Sequence, residues 1–220
     1  MMEYAIVPHW FAGYNALLEM TFFVITLLVG AYALKVHRLS GQRQSRLFGI
    51  SFLLISAAYL VQSILNFAAS YPMAEGCSMQ SMVAFHSLGT FAVYAHMVLF
   101  MTGLVTLAYM TLKIRDFGAY ALFLSAMLAV LLLNANKLYF FYVLSSILLV
   151  YVSFYYLRNY LKGRKMSALI VFVAFLFLLF GKIHFIFSTD HGAFYVGGHL
   201  LEFVAYTLIL TNLVNVVRGK

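Results

Sequence analysis

Residues 181–206 have the sequence GKIHFIFSTDHGAFYVGGHLLEFVAY, in which a short polar loop separates the end of one apolar segment from the start of the next. The whole chain has only six acidic residues and seven histidines. This stretch alone contains Lys182, His184, Asp190, His191, His199 and Glu202. Polar side chains are costly in lipid and usually mark a function where apolar runs flank them. We therefore expect the rest of the chain to bring further polar side chains to the same depth.

The composition of the chain is that of a membrane protein. Of its 220 residues, 65% are hydrophobic and 9% are charged, and the mean hydropathy is +0.96. Soluble domains carry about 25% charged residues, so the predicted partner is a lipid bilayer. The net charge of +8 lies in short clusters between apolar runs, a pattern that sets membrane orientation and predicts no nucleic-acid partner. The single cysteine, Cys77, excludes a disulfide framework and a multi-cysteine metal site.

Seven apolar segments approach the length of about 20 residues that a spanning helix needs. They are residues 11–34, 47–69, 82–112, 117–134, 138–157, 166–187 and 194–217. The first is too long for the apolar core of a signal peptide, so we interpret it as a span. The prediction is an all-α, polytopic integral membrane protein with one seven-helix domain over residues 1–220.

The basic residues predict the orientation of these spans. Twelve of the fourteen lie in the first, third and fifth connections and the C-terminal tail: Lys35, Arg38, Arg43, Arg46, Lys113, Arg115, Arg158, Lys162, Arg164, Lys165, Arg218 and Lys220. The opposite side keeps only Lys137, and Lys182 lies within a span. Because cytoplasmic loops are enriched in Lys and Arg, we expect an N-terminus outside, a cytoplasmic C-terminus and a location in the cell membrane.

Five polar residues in different segments lie at one predicted depth. Each is 16 or 17 residues from a basic cluster at its cytoplasmic end: Glu19, Gln62, His96, Lys182 and Glu202. At 1.5 Å per residue this is roughly 24–26 Å above the cytoplasmic boundary, in the outer quarter of a core about 30 Å thick. The pattern predicts an outward-facing polar cavity that binds a ligand through these five residues. Asn66, His184 and His199 lie one turn further out, with Tyr94 and Tyr206 as candidate orienting hydroxyls and His9, His86, Asp190 and His191 at the mouth.

The charges of this layer allow two interpretations. Glu19, Glu202 and Lys182 supply two acids and one base, so no single pairing satisfies all three, and the site favours a cation or a bound proton. The alternative is a buried ion pair that holds helices together.

Sequence spacing also predicts which side chains share a helix face: His199 with Glu202 and Asn15 with Glu19, but not Lys182 with His184.

The histidines add a metal hypothesis. His96, His184 and His199 with one carboxylate would suit a transition metal such as zinc, although the chain has neither an HxxxH nor an HExxH spacing. Structural histidines with hydrogen bonds, or ligation of a haem by two of them, are the alternatives. Lys182 also allows a Schiff base with a carbonyl ligand.

The segment His199-Leu200-Leu201-Glu202-Phe203-Val204-Ala205-Tyr206 resembles the end of the last helix in multi-span sensor input domains of prokaryotic kinases and cyclases. That resemblance implies a membrane sensor. Because the chain ends three residues after its last predicted span, we expect its signal to leave through a cytoplasmic or membrane partner protein.

The seven-span pattern is also similar to the superfamily of zinc-dependent membrane hydrolases that includes alkaline ceramidases and adiponectin-type receptors. Those proteins place Glu, Ser, Asp and three His around zinc, with two of the His in an HxxxH on the last helix. Here the last helix offers only His199, and no predicted span contains an Asp.

The function expected from the sequence is non-enzymatic: a receptor, sensor or carrier that binds a cation, a proton or a small ligand from outside. Metal-dependent intramembrane hydrolysis is the first alternative, with His96, His184 and His199 as ligands and Glu202 as general base. A channel or structural subunit with a buried ion-pair network is the second.

Overall fold

Seven α-helices make up nearly all of the described chain. The structure, a computed structural model, describes residues 11–70, 79–188 and 191–219. The helices within those ranges are α1 (Ala12–Ser40), α2 (Arg43–Ser70), α3 (Met79–Leu112), α4 (Phe117–Leu133), α5 (Lys137–Gly163), α6 (Met166–Ile186) and α7 (Gly192–Val217). The prediction of an all-α protein is confirmed, and each helix contains or closely matches one predicted apolar segment.

Six of the seven helices, all except α4, are long and apolar enough to cross a membrane. The apolar helix α4 has 17 residues, which is about 25 Å of helix. Large apolar side chains such as Phe154, Leu200 and Phe203 are exposed on the outside of the bundle, where a bilayer would cover them. The helices therefore support a multi-pass membrane protein.

Specific residues end one helix or begin the next in the connections after α1 and α3. Gly41 follows α1 with a φ of 67°, a left-handed conformation that glycine adopts without strain, and its N–H bonds back to the His37 carbonyl. Helix α4 begins after Asp116, whose carboxylate accepts the Gly118 N–H at 2.8 Å. Several helices also extend past the predicted spans into basic sequence, as α1 does to Ser40 and α5 to Gly163.

Six helices form a closed ring. Each packs against the next in the order α1, α2, α3, α5, α6 and α7, and α7 returns to α1. Helix α4 lies outside this ring, against α3 and α5. The centre of the ring is filled mainly by aromatic and aliphatic side chains, among them the fully buried Phe22, Phe52, Phe100, Phe175 and Tyr206.

Glycines bring neighbouring helices of the ring into close contact, as α1 with α2 and α6 with α7 show. A Cβ atom added to Gly30 of α1 would lie 3.1 Å from the Gly49 carbonyl oxygen of α2, and one added to Gly49 would lie 3.1 Å from the Gly30 oxygen. A Cβ atom on Gly181 of α6 would lie 3.1 Å from the Gly198 oxygen of α7. Small residues allow this approach because no side chain separates the backbones. The sequence shows no GxxxG spacing that would have predicted these contacts.

Helix α4 runs beside the second half of α3, from near its end to near its middle. Near the start of α4, the Tyr120 hydroxyl lies 3.0 Å from that of Thr106, and its ring packs against Tyr109. The Lys137 Nζ atom at the start of α5 lies 5.7 Å from the centre of the Tyr94 ring. Tyr94 is about 22 Å from Tyr109 along α3. Helices α3 and α5 therefore run parallel, with α4 antiparallel to both.

Candidate functional site

A buried ion pair between α6 and α7 lies at the centre of the polar residues. Lys182 Nζ is 2.6 Å from Glu202 Oε1, and these two residues are 3% and 1% exposed. Gly181 makes the contact possible, since a Cβ atom there would lie 3.3 Å from Glu202 Cγ. The two residues were predicted from sequence at one depth, and the structure brings them together.

Three aromatic rings lie close to the Lys182 ammonium group. Its Nζ atom lies 4.2 Å from the centre of the Phe100 ring, 5.3 Å from Phe185 and 5.7 Å from Phe141. The negative face of an aromatic ring attracts a cation, and this attraction is strongest where water is excluded. The charge of Lys182 is therefore balanced by one carboxylate and three rings, contributed by α3, α5, α6 and α7.

Two tyrosines extend the network to α2. The Tyr59 hydroxyl donates to Glu202 Oε2 at 3.0 Å and lies 2.9 Å from the Tyr206 hydroxyl. A tyrosine has a single O–H proton, and that of Tyr59 is used on the carboxylate. Tyr206 therefore donates to Tyr59, which donates to Glu202. The predicted orienting role of Tyr206 fits this chain, whereas the ring of Tyr94 packs against Lys137.

Glu19 forms a second buried acidic site on the adjacent helix α1. Glu19 is 4% exposed. Asn15 Nδ2 donates to Oε1 at 3.3 Å, and Asn66 Nδ2 of α2 donates to Oε2. Among the described residues, no Lys, Arg or His lies within ion-pair distance of this carboxylate. The face shared by Asn15 and Glu19, predicted from their spacing, is confirmed.

His199 is buried beside Glu202, and within the described chain neither of its ring nitrogens is hydrogen-bonded. The residue is 6% exposed, and both Nδ1 and Nε2 lack a partner among the described residues. Its ring packs between Phe22 on one side and Phe185 and Tyr195 on others, with centroid distances of 5.9, 4.9 and 4.6 Å. Nδ1 is 3.9 Å from Glu202 Oε2, so the predicted shared face is confirmed at a distance too long for a hydrogen bond.

His96 is held at the edge of the network by α2. Its Nδ1 atom lies 2.9 Å from the Ala58 carbonyl oxygen. Because a carbonyl only accepts, Nδ1 carries the proton, and in the neutral ring Nε2 is left as an acceptor. The ring stacks on Phe100 and meets the edge of Tyr59, so His96 lies against the side chains that surround Lys182 and Glu202.

Among the described contacts, this network does not include Gln62, from the predicted layer, or His184, predicted one turn further out. Gln62 is partly exposed. His184 bonds to the Phe180 carbonyl one turn earlier on α6 at 2.8 Å, and its ring packs against Phe194. This outcome confirms that Lys182 and His184 diverge, with Lys182 pointing inward.

The structure does not assemble the predicted metal ligands. His96, His184 and His199 are held in the separate surroundings described above. The described ranges contain no group of three or more His, Cys, Asp or Glu residues arranged to hold a metal ion. The zinc hypothesis therefore gains no support from the geometry.

Some predicted residues of the outer mouth fall outside the described part of the chain. These are His9 and Asp190, together with the side chain of His86. Cys77 also lies outside the described residues. His191 is described, and its ring lies 6.1 Å from that of Phe194.

Sequence reasoning missed Tyr59 and the aromatic residues around Lys182. Tyr59 lies three residues before Gln62, and that spacing places both near one side of α2, which was the available signal. The sequence did not distinguish Phe100, Phe141 and Phe185 from the other phenylalanines, because 22 of them are spread through the chain.

No protein-family model, curated protein or solved structure matches this chain. The two resemblances described above therefore rest on the quoted residues alone.

Proposed function

We propose that this chain is an integral membrane receptor or carrier that takes up a proton or a small cation at Glu19. The observation that carries the proposal is the charge balance of the two acidic sites. Lys182 compensates Glu202, but among the described residues Glu19 is buried with amide donors alone. An isolated ionised carboxylate is very costly in an apolar interior, so Glu19 is either protonated or balanced by a bound cation.

The surroundings of Glu19 suit both states. Two amide N–H donors stabilise an ionised carboxylate. The Asn15 Oδ1 atom has no partner among the described residues, and turning this amide over would let Oδ1 accept a proton from a neutral Glu19. An Asn side chain presents either a donor or an acceptor in this way at little cost in shape. The site is therefore built to accommodate a change of charge.

Contacts between α1 and α7 give this change a route to the central network. Phe22 lies three residues after Glu19 on α1, and its ring packs against His199, Tyr59 and Tyr206. Glu202 Oε2 lies 3.9 Å from His199 Nδ1 and accepts from Tyr59, and Phe22 packs against both of these rings. A change of charge at Glu19 thus acts on the residues that hold α2, α6 and α7 together. The proposed receptor function depends on this connection between Glu19 and the residues around Glu202.

A substitution of Glu19 by glutamine tests the proposal, because it removes the charge and keeps the shape. A ligand that binds only the folded state stabilises it by about 2.7 kcal/mol at a hundredfold excess over its dissociation constant. We expect the unfolding temperature of the purified protein to change with pH or with the concentration of a small cation, and Glu19→Gln to abolish that dependence without loss of folding.

The matched control is Asp116→Asn, the same acid-to-amide change at an exposed helix cap. It should keep the dependence on pH or cation. A Glu19→Gln variant that is less stable than the wild type and keeps the same dependence would show instead that Glu19 is a structural residue, as in the alternative of a buried polar network that only holds helices together.

We also infer that all seven helices cross the membrane, with the N-terminus outside. Two observations support this topology: the concentration of basic residues in alternate connections, and the course of α4 along about 22 Å of α3, from Tyr109 to Tyr94. A slightly short span is accommodated by local thinning of the bilayer.

Cysteine labelling tests the crossing of α4. In a Cys77→Ser background, Asn136→Cys after α4 should react with a membrane-impermeant maleimide on intact cells. Arg115→Cys before α4 should react only after permeabilisation, as should Arg164→Cys, the control at the same predicted side. Labelling of Arg115→Cys and Asn136→Cys from one side would place both ends of α4 on that side.

A further inference from the structure

A basic cavity lies at the other end of the bundle from Glu19. It has a volume of about 310 Å³ and is formed by the start of α2, the end of α3 and the connection that follows α3. Three cationic side chains line it: Arg43, Lys113 and Arg115. None of the described residues that line it is acidic. Asp116, the next residue, is occupied with the cap of α4.

Arg43 is held in place by the opposite wall of the cavity. Its guanidinium donates to the Ile114 carbonyl and to the Tyr109 hydroxyl, both at 3.1 Å, and lies over the Tyr109 ring. A guanidinium has five N–H donors, so three are left for a ligand. The charge of Arg43 is thus fixed before a ligand binds, and little side-chain entropy is lost on binding.

The cavity changes from polar to apolar along the helix axes. Gln42, Arg43 and Lys113 line it at the helix ends, whereas Leu47 and Met110 line it about one turn deeper. Helices α2 and α3 are both long and apolar enough to cross a membrane, and the ends of such helices lie at the depth of the lipid head groups. A ligand that fits this arrangement has an anionic head and an apolar body.

We propose that this cavity binds the phosphate head group of an anionic phospholipid. The phosphate lies among Arg43, Lys113 and Arg115, and the glycerol and acyl chains lie along Leu47 and Met110. Basic pockets between membrane helices recognise anionic lipid head groups by this combination of charge and depth. The inference does not rest on the function proposed for Glu19, because it uses a different part of the molecule.

Titration of the detergent-purified protein with a short-chain phosphatidic acid, followed by calorimetry, tests the proposal. We expect saturable binding of one lipid per chain. Lys113→Gln/Arg115→Gln should weaken it about 25-fold, because each basic residue contributes a factor of about five near a charged lipid. Both residues are exposed, and Arg43 is left unchanged because its hydrogen bonds join α2 to α3.

The matched control is Lys162→Gln/Arg164→Gln at the end of α5. It also removes two exposed charges, and each pair includes one residue with left-handed backbone, Lys113 at a φ of 58° and Arg164 at 48°. Unchanged affinity in this control supports the site. Equal weakening by both pairs, equal binding of short-chain phosphatidylcholine, or no binding would overturn the proposal.

Inorganic phosphate separates the two sources of a phosphate group. If the lipid binds and phosphate neither binds measurably nor displaces it, the apolar wall is part of the site and the assignment to a phospholipid stands. If inorganic phosphate binds as tightly as the lipid, the site recognises free phosphate and the lipid assignment is wrong.

Discussion

Lys182→Met will destabilise the folded protein by about 3–5 kcal/mol, because it leaves the Glu202 carboxylate buried without its cation. The ion-pair distance of 2.6 Å and the near-complete burial of both side chains make this the largest effect expected from any substitution of a single polar group. Glu202→Gln should cost a similar amount, since it leaves an ammonium group among Phe100, Phe141 and Phe185.

The double variant Lys182→Met/Glu202→Gln should recover much of that loss. With both charges removed, neither partner is left uncompensated, and replacing a whole buried pair is often close to neutral. The glutamine keeps an oxygen that accepts from Tyr59, so that hydrogen bond survives. The free energies of unfolding can be measured in mixed micelles with increasing denaturing detergent, and the double-mutant cycle gives the coupling between the two side chains.

Lys165→Met is the control for the change from lysine to methionine itself. Lys165 is exposed at the start of α6, and surface substitutions away from special features usually change stability by less than about 0.5 kcal/mol. Single variants of Lys182 and Glu202 that stay within about 1 kcal/mol of the wild type, or a double variant whose loss equals the sum of the two, would show that the pair is not coupled.

The common height of Lys182 and Glu202 in the bundle was predictable because charged residues mark the ends of apolar helices. Lys165 precedes α6 and Arg218 follows α7, so counting along each helix from these residues placed Lys182 and Glu202 at one height. Spacing within one helix was equally informative. It predicted the contact of Asn15 with Glu19 and the divergence of Lys182 from His184.

The rotation of each helix about its axis was not predictable in the same way. In a soluble helix, polar residues mark the outer face. Here the side facing lipid and the side facing the core are both apolar, as the exposed Phe203 and the buried Tyr206 on α7 show. Depth alone therefore placed Gln62 in the layer together with Glu202, although the residue that reaches the carboxylate from α2 is Tyr59.

The sequence also did not determine whether Glu19 or Glu202 pairs with Lys182. Two acids and one lysine at one depth allow either pairing, and the outcome depends on which helices are neighbours in the ring. Helix α7 lies between α6 and α1, and glycines at the contact of α6 with α7 bring Glu202 within reach of Lys182. Within the described chain, Glu19 on α1 has only Asn15 and Asn66 as hydrogen-bond partners. The unequal distribution of charge on which the proposed function rests follows from this packing.

Gly103→Ala should destabilise the protein by about 1–3 kcal/mol through overpacking between α2 and α3. A Cβ atom at Gly103 would lie 2.9 Å from the Ser51 carbonyl oxygen and 2.7 Å from Ile55 Cγ1. The first contact is with backbone, which cannot turn aside as a flexible side chain would, so α3 must move away from α2. Unfolding in mixed micelles measures the loss.

Gly89→Ala on the same helix is the matched control, since its Cβ atom would lie 3.6 Å from Leu65 Cδ1, an ordinary contact. Alanine favours a helix over glycine by about 1 kcal/mol, so this control should be neutral or stabilising, and equal stability of the two variants would contradict the packing argument. The Gly103→Ala substitution should also affect the candidate site. Phe100 lies three residues before Gly103, and its ring contacts both Lys182 and Tyr59. A displaced α3 would therefore separate that ring from the Lys182 ammonium, which makes the close contact of α2 with α3 a condition for the central network as well as for stability.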